Sequence, residues 1–506
     1  MLASRTPRCS SASATTDNGA NVVKTARDEL AVVHVPCVAH TLNLVEKDVD
    51  AAVPQLAAVR ERVSAIVTFF RQSHLAAAQL EAEVAVLTDE VIKALKLVES
   101  ERTNFDVARL PRRLKKDMPT RWNLVRAMLA RYYALHVPVA LVQTKHQHNF
   151  VPLNQQELEF VLVVCNRMRF VEATSLLVQE SVTPQIGMAL MQLMNLFYGM
   201  SRQKANTATM SAAAKDFDVT LRKTIADRVM NRFFSSSAPL RAPQLWNGRS
   251  LAHMSAAESS ELPYVRSTGF KGVPQSAFDV FFAAMLLDPR THGEVDCFKL
   301  FEMEPWRAML PPSSNISVPP VNEFAYRLLH SLAMWHVLQL PEDKRREVLP
   351  ANLLDNPLAE DDAAEPEVKD SGAAAASSAP GKRRLDVLQE MLSGDSRKRR
   401  SNVTTEIIRA KAGNDARAFI ALDWRTQPSH LTDSSANPLL WWKEVGERTF
   451  PCLAVTAKRL FAVLPSSAEA ERFASTAGDT TNSDRCALNP AKAAKLVFLA
   501  HVEKFA

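Results

Sequence analysis

Cys37 and His40 stand three residues apart in Cys-Val-Ala-His, a spacing from which a thiolate and an imidazole can share one metal ion. A structural zinc site asks for four such ligands, and no second pair lies nearby. Cys9 and His34 have suitable donor atoms, but nothing in the sequence positions them, so buried structural roles are expected for Cys37 and His40. Arg121 and Trp122 form another chemically capable pair, because a guanidinium meets phosphate well and an indole stacks on a base. The plainer reading, a buried Trp with Arg at a helix start, is preferred. Trp441 and Trp442 are adjacent on an expected helix and so point to different faces. One is expected in the core and the other at an interface, where Trp is enriched. Lys382, Arg383 and Arg384, followed by Arg397, Lys398, Arg399 and Arg400, have the arrangement of a bipartite nuclear import signal. Its bland alternative is a solvated basic stretch.

The elements that must position these groups are mostly helices. The opening to Thr16 is polar and rich in Ser, Thr and Ala, and is expected to be disordered. Asp17 and Asn18 can cap a helix running to Leu30. Val32, Val33 and Val35 form a short β-branched strand that Pro36 ends. Leu42, Val45 and Val49 then share one helix face. Leu56, Val59, Val63, Ile66, Val67 and Phe70 fall near helical spacing in the next segment. Met188, Met191, Met194 and Met200 read as core packing between helices rather than a ligand box. In the tail, Pro451 can start a helix with Leu453, Ala457 and Leu460 inward. Ser466 and Ser467 can cap the next helix, and a last one is expected from about Pro490.

Bulk properties set outer limits. The 506 residues are 47% hydrophobic and 23% charged, ordinary for a globular protein, with glycine scarce at 13. The net charge of +6 is compatible with nucleic acid without requiring it. Six scattered cysteines without a CxxC pair argue against a disulfide framework and for a reducing compartment. No signal peptide and no membrane-length apolar run is apparent, so no membrane partner is expected.

Several blocks together resemble the hAT-family DNA transposases, in that family's order. They are Asp17 to Ala26 (DNGANVVKTA), Cys37-x-x-His40-x-Leu42-Asn43-Leu44, Phe69 to Ser73 (FFRQS), Thr120-Arg121-Trp122-Asn123 with Met128 and Leu129, and Leu286 to Arg290 (LLDPR). The tail is the closest match: Trp441, Trp442, Phe450, Pro451, then Ser466 to Gly478 (SSAEAERFASTAG), Arg485, Leu488 and Pro490. The resemblance implies an α/β but predominantly helical fold, with an incomplete ribonuclease-H-like core interrupted by a large all-α insertion. The domains expected are a disordered start at 1–16, a partial core at 17–50, a helical insertion at 51–350, a low-complexity linker with basic clusters at 351–403, and a dimerisation region at 404–506 that completes the core.

It also implies chemistry. The family holds divalent metal ions on two aspartates and a glutamate, because hard cations prefer carboxylate oxygens. By resemblance Asp17 is the second aspartate and Glu471 the glutamate; the first aspartate, which the family places before Asp17, has no candidate in the sequence, and the zinc finger common at the front of the family is not seen. The plain alternatives are a helix cap for Asp17 and an exposed carboxylate paired with Arg472 or Lys458 for Glu471. A further departure is Ala474, where the family usually has serine. The lead into Asp17, CSSASATT, lacks the apolar residues of a buried strand. The expected DNA contacts are Arg121, Trp122 and Arg472, and the expected dimer contacts Trp441, Trp442, Phe450, Leu453, Leu460 and Phe473. The reading that follows is a nuclear, transposase-derived homodimer that binds DNA, catalytically incomplete as written and needing no cofactor. One alternative is an active transposase with missing N-terminal residues, using Mg²⁺ or Mn²⁺. The other is a helical DNA-binding or chromatin adaptor.

Overall fold

The computed structural model describes residues 13–17, 19–25, 33–94, 113–115, 122–180, 182–202, 210–235, 245–246, 249–250, 277–292, 297–303, 306, 320–349, 395–468, 470–472, 475, 492 and 495. These residues are predominantly helical, as expected. They form two compact units, one of Ser13–Arg241 with Leu464–Ala506, the other containing Ala242–Val463.

In the first unit, β1 (Ser13–Thr16) pairs in parallel with β2 (Val33–Pro36), Ser13 opposite Val33 and Thr16 opposite Pro36. Helix α1 (Ala20–Lys24) lies between them in sequence, since parallel neighbours need a crossover rather than a hairpin. This corrects the expectation of disorder up to Thr16. The strand is polar, yet the hydroxyls of Thr15 and Thr16 have partners. Thr15 Oγ1 donates to the Leu464 carbonyl, and Thr16 Oγ1 lies 2.9 Å from His34 Nε2. The capping role expected of Asp17 and Asn18 is also corrected for the part described. Gly19 is the residue preceding α1, and no side chain caps that helix.

Among the described residues, seven longer helices follow in this unit: α2 (Val38–Ala52), α3 (Pro54–Gln72), α4 (His74–Ala94), α5 (Trp122–His146), α6 (Gln155–Val178), α7 (Ile186–Arg202) and α8 (Ala212–Val229). The apolar faces read from the sequence for α2 and α3 are the buried ones, and the four methionines of α7 are core residues. Helix α2 packs on α6 and α8, and α3 and α4 pack on α5. Between α6 and α8, Arg167 grips Asp218 through Nε (2.6 Å) and Nη2 (3.0 Å), with Arg222 on the same carboxylate at 3.0 Å. Arg167 and Asp218 are 6% and 3% exposed.

The second unit holds a two-residue antiparallel pair, β3 (Leu245–Trp246) with β4 (Arg249–Ser250). Its helices are α9 (Ala277–Leu287), α10 (Cys297–Glu302), α11 (Pro320–Leu338), α12 (Glu342–Val348), α13 (Asp395–Ile420) and α14 (Pro451–Phe461). Every residue of α9 is buried, the mark of a helix enclosed on all sides. Helix α11 packs on α9, α13 and α14. Helix α13 begins inside the segment expected to be a linker, because Ile408, Ala412, Ala416 and Phe419 recur at helical spacing and are all buried. Residues 351–394 of that segment lie outside the described residues.

The units divide the chain differently from the domains expected. Residues 51–241 pack with the front of the chain, because α2 is already covered by α6 and α8. Helix α11 instead packs with α13 and α14, and α9 with α14.

Two of the buried histidines described in the second unit sit on α11. His336 Nδ1 lies 3.0 Å from Thr456 Oγ1 on α14, and burial pushes its pKa down to about 3. His330 faces the Arg409 carbonyl at 2.9 Å, and burial lowers its pKa to about 4. Below the ordinary value of 6.5 the unfolded chain takes up protons these side chains refuse in the fold. Their effect is a loss of stability as pH falls from 6.5 towards 4, at up to about 1.4 kcal/mol per pH unit for each histidine. Burial raises the pKa of Asp415, whose effect has the opposite sign, so comparison with a variant isolates the histidine. Urea melts of the second unit in His336→Asn are expected to show a shallower acid loss than wild type. In the first unit, Asp218→Ala removes the carboxylate that grips the buried Arg167 guanidinium and is expected to cost about 3–5 kcal/mol in the same measurement.

Candidate functional site: the junction of the chain ends

The Cys37 thiol is the meeting point of the first unit's two sequence segments. It follows β2 and opens α2, where Sγ accepts from the His40 amide at 3.4 Å. The same sulfur accepts from the Ser467 amide at 3.2 Å and lies 3.6 Å from Ser466 Oγ. The Cys37 amide donates to Thr16 at 2.9 Å, and the Val38 amide donates to Pro465 at 2.9 Å. Cys37 is 1% exposed. Its expected structural role is what the geometry shows, with the thiol acting as a helix cap and a clasp. Among the described residues no three His, Cys, Asp or Glu side chains converge to hold a metal ion.

The clasped segment carries one of the two carboxylates. Ser466 Oγ accepts from the Ala468 amide at 3.1 Å, and the Glu471 amide donates to Ser467 O at 3.1 Å, so the two serines do start a helical turn. Glu471 is exposed, and its Oε1 accepts from Ser467 Oγ at 3.3 Å. The partners expected for it are otherwise engaged: Lys458 pairs with Glu447 at 2.7 Å, and Arg472 Nη2 donates to the Gln179 carbonyl at 3.1 Å. Asp17 is exposed and directly follows β1. The structure thus places Asp17 and Glu471 in one compact unit, on the two pieces that Cys37 ties together.

The residues expected at a dimer interface lie elsewhere. Trp441 and Trp442 are both 0% exposed, and Phe450, Leu453 and Leu460 are buried with them. The three aromatic rings gather around Phe419: Trp441 lies 6.2 Å away, Trp442 stacks on it at 5.6 Å and Phe450 meets it edge-on at 5.4 Å. Trp442 Nε1 donates to Leu287 O at 2.8 Å, and Trp441 Nε1 to Gln427 Oε1 at 3.1 Å. Both Trp residues fit inside because a π-turn, Trp442–Gly446, widens the helix there. A Cβ at Gly446 would lie 2.3 Å from the Trp442 ring, so glycine is required. The assignment of these five side chains to a dimer contact is therefore corrected: fully covered within one protomer, they build the region's own core. Phe473 lies outside the described residues.

The remaining expected contacts are placed only in part. Trp122 opens α5, and Arg121 lies outside the described residues. Arg397, Lys398, Arg399 and Arg400 fall in the first turns of α13, whereas Lys382, Arg383 and Arg384 lie outside. Thr15, Thr16 and His34, which bind the strands to each other and to Leu464, had no signal in the sequence beyond their β-branched or polar character.

Residues 422–501 match the family model of the hAT family C-terminal dimerisation region. No curated protein is similar enough to count as a match. Over that stretch the chain is thus similar to the dimerisation region of hAT-family transposases. The matched stretch contributes to both units, with 422–463 in one and 464–501 in the other. No described helix is long and apolar enough to cross a membrane.

Cys37→Ala leaves the His40 and Ser467 amides without their acceptor, at a cost of about 1–3 kcal/mol. Amide hydrogen exchange is expected to speed up at residues 464–472 before it does so in α6 and α8. Unchanged exchange at 464–472 would show that the clasp holds nothing.

Proposed function

We propose that this chain is a transposase-derived protein that forms a homodimer through its C-terminal region and binds DNA in the nucleus. The observation that carries the reading is the match of residues 422–501 to the dimerisation region. The aromatic core around Phe419 supports it by giving that region a rigid body on which a pairing surface can rest. The net positive charge and the ordered motifs support DNA as partner.

A second reading is metal-dependent DNA strand cleavage and transfer, and one observation favours it. Asp17 directly follows a strand paired in parallel with its neighbour, and the segment bearing Glu471 is clasped to the same two strands. That arrangement agrees with a ribonuclease-H-like core. The described residues nevertheless do not fit a Mg²⁺ or Mn²⁺ site, since no trio of ligands converges. No catalytic step is assigned to them.

Light scattering on the full chain tests the first reading. The expected mass is twice 56.1 kDa at tens of micromolar protein, and it persists in about 1 M salt, where surface charge pairs are screened. A monomer under both conditions would overturn it.

A further inference from the structure

A groove of about 590 Å³ in the first unit lies between the α3–α4 junction and residues 113–115. One side carries Arg71 and His74, and the other Arg113 and Lys115; all four are exposed. The lining holds three permanent cations against one carboxylate, Glu81. Arg113 meets that carboxylate through Nε at 2.6 Å. Arg71 and Lys115 have no ion-pair partner among the described residues. This differs from cations on the neighbouring helices, where Arg62 pairs with Glu157, Arg126 with Glu172, and Lys145 with Glu83. In sequence the basic run extends to Arg112 and Lys116.

The backbone under these cations is held in place. Arg131 Nη1 donates to the Arg113 carbonyl at 3.0 Å, and Leu114 between the two cations is half-buried. The end of α3 is pinned by Phe70, which meets Phe69 at 5.5 Å and Phe150 at 5.3 Å. A cationic groove with fixed walls loses little freedom when an anion enters it.

We propose that this groove binds the phosphodiester backbone of a nucleic acid without reading its base sequence. The proposal rests on the DNA-binding part of the function proposed above and assigns it a place. Guanidinium and ammonium groups on two facing walls suit a polymer that carries a charge at every unit. An acidic peptide fits less well, because peptide binding draws on apolar anchors. The apolar lining here is already covered, with Phe70 and Leu80 only 4% and 2% exposed.

The test is fluorescence anisotropy of a labelled duplex of about 20–30 base pairs with the full chain, over a series of salt concentrations. Arg71→Ala/Lys115→Ala is compared with a control double variant at exposed cations of the second unit, Lys344→Ala/Arg346→Ala. The groove variant is expected to bind about tenfold more weakly, with a salt slope shallower by about 1.8, which is 0.9 for each phosphate no longer neutralised. The control is expected to bind like wild type. The four residues are exposed, so the melting temperature should not move. If both variants bind like wild type, DNA binding stands but the groove is wrong. Equal losses in both variants would reduce the effect to net charge and overturn the proposal. A wild type that ignores DNA would overturn this proposal and the DNA-binding reading together, and if it captured a labelled polyglutamate peptide instead, an acidic protein would be the ligand.

Discussion

One sulfur atom holds together parts of the chain 430 residues apart. Cys37 Sγ has three demands on it: it caps α2, it accepts the Ser467 amide, and it faces the Ser466 hydroxyl. A thiol is a soft, weak acceptor, and a single such bond contributes little. Its effect here comes from position. The neighbouring backbone bonds, Cys37 to Thr16 and Val38 to Pro465, align β1, β2 and the tail around the same point. Burial at 1% exposure removes competing water, so the set acts as a unit. The placement of both Asp17 and Glu471 depends on this knot.

Helices with a long apolar face were legible in the sequence. Leu56 through Phe70 in α3 and Leu453, Ala457 and Leu460 in α14 announce their buried sides by spacing alone. Strand β2 was legible for the same reason, through its β-branched valines. Strand β1 was not, because Ser13–Thr16 carries no apolar signal. Its stability comes from a ladder to Val33–Pro36 and from hydroxyl partners distant in sequence. Local propensity cannot see either.

The tail shows a different failure of local reading. Adjacent tryptophans on a regular helix must face about 100° apart, which argued for one inside and one outside. The π-turn that starts at Trp442 and the bare Cα of Gly446 create room for both. Filling space inside a protomer and presenting a surface to a partner draw on the same residue types, and composition does not separate them. Only burial does. The candidate site was legible as a set of motifs, whereas the thiol's link from Cys37 to the tail was not, since no spacing rule reaches across the chain.

The division of the chain also bears on synthesis. The described part of the second unit comes from one stretch, residues 242–463, and leaves the ribosome before the tail does. The first unit is composed of two stretches far apart in sequence, so Cys37 waits for Ser467. At about 5–20 residues per second that interval is on the order of 20–90 s. Through that time β1 and β2 stand without the segment that covers them. A nascent chain of this design exposes a short parallel strand pair to chaperones until the segment bearing Ser467 arrives.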